Sequence, residues 1–303
     1  QKYVAFFPSL AKISANPYWS ILGTALEKAG AKILSNSPDL LSPGWLIKNR
    51  RYVDILHIHF IRQFFTSGKA GRVRFIYVLW FGFNLLIARL FRYHIVYTLH
   101  DLEQRIEVKP VWVDHLGNSI VINFSHKVIV HCNEAKQLLF ENYGFHDNVY
   151  VVDHPNYIDY YPNTISQSDA RSSLNQDSSS KVFLFLGGIY SNKGIDILIK
   201  AFRKIRETNF RLIIAGKAGE SSKAYVKYLE KLSKDDRRIS FYLFYIPDDQ
   251  IQVFLNAADI IVLPFSKILT SGSTILAMSF CRPVIVPATG CLTTILRRNK
   301  PYW

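Results

Sequence analysis

Of 303 residues, 49% are hydrophobic and 20% charged, which excludes a disordered or low-complexity chain and leaves enough apolar surface for two cores. Lys and Arg outnumber Asp and Glu by 37 to 23, a net charge of +14 that points to nucleic acid, an anionic membrane surface or anionic small molecules as partners. Three cysteines with no C-x-x-C pair exclude a disulfide scaffold and a zinc ribbon.

The first predicted strand is YVAFFP (Tyr3–Pro8), followed by a helix over Pro17–Gly30 with proline at its start and glycine at its end. Further strand runs follow at Ala31–Ser35, Asp54–Phe60, His94–Asp101, Lys127–Asn133 and Val149–Pro155. They are continuous and β-branched rather than alternating, as strands buried on both faces are. Between Lys48 and Arg92 nine cations face one acid, Asp54, and surround the apolar run Phe75–Ala88. That run is shorter than the ~20 residues of a spanning helix. It reads either as a basic, aromatic helix lying on anionic lipid or as a helix packed against a sheet. No RNP-type sheet motif or Cys/His finger accompanies the charge, so nucleic acid is not expected as a partner.

Asn156–Lys181 is rich in Ser, Asn and Asp, has no apolar period, and reads as a crossover. Strand runs resume at Val182–Gly188, Arg211–Gly216, Arg238–Tyr245, Asp259–Phe265 and Arg282–Gly290. Helices fit at Ile195–Glu207, Ser221–Lys234, Asp248–Ala257 and Ser273–Phe280. This alternation predicts an α/β chain of two tandem Rossmann-like domains, 1–160 and 182–303, joined by a linker at 161–181. The ligand site is expected in the cleft between their facing strand ends.

Two turns in the second half suit phosphate. GGIYSNKG (Gly187–Gly194) ends a strand in two glycines and opens a helix after Lys193, so backbone N–H groups, a helix start and a cation converge. TSGS (Thr270–Ser273) sets three hydroxyls and Gly272 at another helix start. Either turn is equally an ordinary capped turn with nothing bound. In the first half His100-Asp101 ends a strand, and Asp101 or Glu103 has the chemistry of a general base. His57 and His59 alternate on one strand face and read as polar lining, since no third metal ligand is spaced to join them. Asn16-Pro17-Tyr18 opens the first helix, and His131 ends another strand.

These residues carry a resemblance. FLGGIYSNKGIDILIKAF, RLIIAG, QIQVFLNAADIIVLPF and SFCRPVIVPATG, over most of Phe183–Gly290, resemble the donor domain of GT-B glycosyltransferases of the family 4 type. NPY, HIH, the T-x-H-D of YTLHD and TSGS together resemble bacterial exopolysaccharide glycosyltransferases, among them β-mannosyltransferases that use GDP-mannose. The resemblance implies a GT-B fold and a metal-independent hexosyltransferase without a cofactor. It implies a nucleotide-sugar donor, GDP-mannose by the nearest likeness, and a saccharide or lipid-linked saccharide acceptor. Donor contacts are implied for Gly187, Gly188, Lys193, Gly216, Lys217, Thr270, Ser271, Gly272 and Ser273. His100 is implied beside the donor sugar, and Asn16 and Tyr18 on the acceptor side. A cytoplasmic enzyme, peripheral on the inner face of an anionic membrane, suits such an acceptor.

Three departures stand against that pattern. Gly188 replaces the family's phosphate-binding arginine, and Ile268 and Leu276 stand at the positions of its paired glutamates. The chain also stops short of the helix with which family members return to the first domain, which implies a C-terminal fragment. Two alternatives stay open: a GT-B-like sugar-nucleotide epimerase, and a catalytically silent GT-B subunit of a membrane polysaccharide complex.

Overall fold

Tyr3–Phe7 (β1) is buried from Val4 onward, which requires protein on both of its faces. In a computed structural model of the chain, residues 1–9, 17–67, 72–73, 75–102, 111–144, 146–266 and 268–297 are described. The chain divides into two units, Gln1–Pro155 and Asn156–Trp303.

In the first unit β1 is followed by α1 (Pro17–Lys28), β2 (Lys32–Ile33), α2 (Pro43–Asn49) and β3 (Ile55–Ile58). An antiparallel pair, β4 (Thr66–Ser67) with β5 (Arg72–Val73), precedes α3 (Phe75–Leu90). Then come β6 (His94–Thr98), α4 (Val111–Phe124), β7 (Lys127–Val130), α5 (Asn133–Tyr143) and β8 (Val149–Val151). The six-stranded sheet runs β2-β1-β3-β6-β7-β8, all parallel. α1 starts on Pro17, whose fixed φ suits a first turn, and packs Tyr18 and Trp19 on Val4 and Phe6. Fully burying side chains of this size contributes roughly 1.5–3 kcal/mol each.

α3 has one face covered by protein and another that is open. Val78, Phe81, Leu85 and Ala88 are buried, whereas Leu79, Trp80, Phe83 and Leu86 are exposed. Among the described residues no helix is long and apolar enough to cross a membrane.

The second unit contains α6 (Gln167–Ser173), β9 (Lys181–Leu186), α7 (Ile195–Phe202), β10 (Phe210–Ala215), α8 (Lys223–Ser233) and β11 (Ile239–Tyr242). It continues with α9 (Ile251–Ala257), β12 (Ile260–Val262), α10 (Gly272–Ser279), β13 (Val284–Ile285) and α11 (Cys291–Arg297). Its sheet runs β11-β10-β9-β12-β13, again all parallel. The chain steps outward from β9 to β11 and resumes on the other side of β9 with β12. Loops after β9 and β12 therefore diverge, which opens a crevice at the carboxyl ends of the strands.

The stretch expected as a linker, 161–181, holds α6 and belongs to the second unit. Arg171 fixes it there. Its guanidinium is buried, pairs with Asp259 at 2.7 Å, and donates to the carbonyls of Ala257 and Ser178. Asp259 also accepts from the Val182 amide at 2.7 Å, so one ion pair ties α6 to the first turns of β9 and β12.

Candidate active site

β9 passes into Gly187 (φ 153°) and Gly188, and β10 into Gly216 (φ 143°). The two strand ends approach so closely that a Cβ on Gly216 would collide with the Gly187 carbonyl. Bare backbone at this place is a requirement of the fold, not only a convenience for a ligand. From the far side of β9, α10 brings Ser273, whose Oγ stands 3.3 Å from where a Cβ on Gly187 would be. These elements border an open cavity of about 410 Å³, lined by Gly187, Gly188, Gly216, Gly219, Lys217, Ser273, Tyr190, Tyr245, Leu186, Ile246, Ile251 and Leu276. Backbone amides, a lysine and a hydroxyl suit a diphosphate, and the tyrosine and isoleucine side chains suit a flat apolar ring.

Gly187, Gly188, Gly216, Lys217 and Ser273, all expected at a donor site, are brought together on this cavity. The other expected donor residues are placed elsewhere. Ser271 is buried and caps α10, accepting from the Thr274 amide at 3.1 Å and the Thr274 hydroxyl at 2.9 Å. Thr270 Oγ1 lies 3.6 Å from Cys291 Sγ, and a Cβ on Gly272 would stand 3.0 Å from the Tyr157 hydroxyl. Lys193, in the loop after β9, holds its Nζ 4.8 Å from the centre of the Phe265 ring. Tyr190, Tyr245, Ile246 and Ile251 line the cavity but are not expected from sequence. Gly188 gives Tyr190 its room, since a Cβ there would stand 2.6 Å from the tyrosine ring. Leu276 lines the cavity where the resemblance places a glutamate.

In the first unit the carboxyl ends of β3, β6, β7 and β8 gather five histidines. His59 Nδ1 and His100 Nε2 are hydrogen-bonded at 2.9 Å, and His57 Nε2 lies 2.8 Å from Thr98 Oγ1. His131 and His154 each donate from Nδ1 to a carbonyl, of Val152 and Pro155 respectively, which leaves Nε2 as an acceptor. Tyr18 is buried against three of these rings, with centroids 5.1 Å from His100, 5.7 Å from His131 and 4.9 Å from His154. Phe60 stacks on His100 at 4.4 Å. Burial lowers the basicity of all five, His57 to about 3 and His154 to about 4, and neighbouring imidazoles lower His59, His100 and His154 further. The cluster is therefore neutral at neutral pH. Among the described residues, Nε2 of His59 and of His131 is buried without a hydrogen-bond partner, and no group of His, Cys, Asp and Glu has a metal-holding arrangement. Asp101 follows His100 directly and is half-buried. Asn16 and Glu103 lie outside the described residues.

Residues 180–301 match the family described as "Glycosyl transferases group 1". The whole 410 Å³ cavity falls within this matched stretch. The chain is 28% identical over 120 residues to a GDP-mannose:glycolipid 4-beta-D-mannosyltransferase of Xanthomonas campestris pv. campestris, covering 40% of this chain and 34% of that protein. The matched stretch thus spans about a third of the relative's length. Among solved structures, sucrose-phosphate synthase from Thermosynechococcus elongatus aligns with a TM-score of 0.76 at 17% identity, over 97% of this chain and 83% of that one. Anabaena HepE in complex with UDP and glucose aligns with a TM-score of 0.71 at 16% identity, over the same 97% and 83%. At these identities the likeness is one of fold, that of the GT-B glycosyltransferases.

Proposed function

We propose that this chain transfers mannose from GDP-mannose to a saccharide or lipid-linked saccharide acceptor in polysaccharide synthesis. The observation that carries the reading is the glycine-walled cavity of the matched stretch, with Lys217 and Ser273 on it. The name of the Xanthomonas relative supports the donor, and the UDP and glucose of the HepE complex support the class of ligand for this fold.

In this reading the amides after β9, the first turn of α10 and Lys217 hold the diphosphate, and Tyr245 and Ile246 flank the base. Lys193 leaves the Phe265 ring to neutralise the diphosphate as it departs. His100, kept neutral by burial and by its imidazole neighbours, bonds a sugar hydroxyl rather than carrying a proton. Asp101 takes the proton of the acceptor hydroxyl as that oxygen attacks the anomeric carbon and the diphosphate leaves with the bonding electrons. The lysines supply the countercharge without a divalent ion.

Calorimetric titration with GDP, UDP and ADP, followed by a transfer assay with GDP-mannose, tests the reading. Preferential GDP binding with mannose transfer is expected; failure of every nucleotide to bind overturns it. The apolar Leu276 on the cavity favours one second reading, a donor-binding subunit without catalysis. Nucleotide binding with neither transfer nor donor hydrolysis would identify that subunit.

A further inference from the structure

We infer that the outward face of α3 docks the protein on an anionic lipid bilayer. Most helices that flank a sheet present one apolar face, to the core, and a polar one to water. α3 presents two apolar faces. Val78, Phe81, Leu85 and Ala88 are buried, while Ile76, Leu79, Trp80, Phe83, Leu86 and Leu90 are 44–71% exposed. At the helical period these six fall on one arc of roughly 120°, opposite the buried set. The ridge extends sideways onto α4, which packs against α3. α4 adds Trp112, 55% exposed with its ring 5.6 Å from that of Phe75. Isolated surface leucines are ordinary, whereas a contiguous apolar ridge of this extent marks an interaction surface.

Charge decides the occupant. Lys48, Arg50, Arg51, Arg89 and Arg92 are exposed at the ends of α2 and α3. Arg50 lies over the Phe91 ring and Arg89 donates to the Phe124 carbonyl, so neither contact neutralises its charge. Asp54, the one acid between Lys48 and Arg92, is already held by the Lys2 ammonium and the Tyr3 amide. A second copy of the chain would set these cations against their own kind. A nucleic acid would match the charge but leave the ridge in water. An anionic bilayer takes both, cations at the headgroups and the ridge in the acyl boundary. α3 has 16 residues, about 24 Å of helix, so it lies along the surface.

The test is sedimentation of the full chain with phosphatidylcholine vesicles, with and without a one-third share of phosphatidylglycerol. Strong pelleting is expected only with the anionic vesicles, weakened at about 1 M salt, where the Debye length shrinks to ~3 Å. Trp80→Glu with Phe83→Glu, both at exposed positions, should lower partitioning at least ~10-fold with far-UV circular dichroism unchanged. Arg50→Gln and Arg51→Gln should each cost roughly fivefold. Equal pelleting with both vesicles, or with neither, overturns the proposal. So does a dimer in light scattering that the double variant turns into monomers, which would assign the face to a second copy. GDP binding by the double variant is expected to match wild type, so the docking surface and the donor reading fail separately.

Discussion

His59 Nδ1 and His100 Nε2 lie 2.9 Å apart at the ends of neighbouring strands, and all nine histidines of the chain fall in the first unit. The five at the strand ends bind protons less readily folded than unfolded, because burial disfavours the imidazolium. Between the unfolded value of 6.5 and the folded value of about 3 for His57, the unfolded state binds more protons. Stability is therefore full above that window and declines as pH falls through it. At about pH 5, His57 alone costs ~2 kcal/mol. Acidification should unfold the first unit and spare the second, which has no histidine. Tryptophan fluorescence reads mainly the first unit, which holds four of the five tryptophans, Trp19, Trp45, Trp80 and Trp112. A transition between pH 7 and 4 of equal size in both units, seen by proteolytic mapping, would contradict it.

Gly216→Ala should abolish nucleotide binding and destabilise the second unit by at least ~2 kcal/mol. The added methyl would meet the Gly187 carbonyl, at a φ of 143° that disfavours a side chain. Urea denaturation with GDP titration measures both effects.

Lys217→Ala should weaken GDP binding about tenfold, as loss of one charge-assisted contact does. Lys193→Ala, removing a cation that does not line the cavity, should leave GDP affinity nearly intact and lower the transfer rate about tenfold. Single-turnover kinetics alongside calorimetry separate the two lysines.

Arg171→Ala should cost about 3–5 kcal/mol, because Asp259 keeps its burial and loses its closest cation. Arg171→Leu combined with Asp259→Asn should recover part of that loss, and thermal unfolding of the three proteins gives the order.

Sequence and structure agree where structure is local. Continuous apolar runs predict β1, β3, β6, β7, β9 and β10, since strands buried on both faces need no partner to be recognised. α6 was hidden. QSDARSS has no apolar stripe, and what holds it is an ion pair to a residue 88 positions away. The glycines of the cavity stood out as a motif, but Tyr245 and Ile246 did not, because they reach it only through strand order. The same holds for the histidines. His57, His59, His100 and His131 were visible one by one, and His154 joined them only once β8 was placed beside β7.

The order of strands in the second unit also sets a schedule for the growing chain. β9 is central, yet its neighbour β12 follows it by nearly eighty residues, and the Val182 amide waits 77 positions for the Asp259 carboxylate. At ribosomal speeds of ~5–20 residues per second, that interval is on the order of ten seconds. Throughout it, one edge of β9, apolar from Val182 to Leu186, is open and Arg171 does not yet have Asp259 to meet. Slow stretches of synthesis after β10 would lengthen that exposure, so a chaperone that shields strand edges should raise the yield of this half more than that of an isolated helical segment.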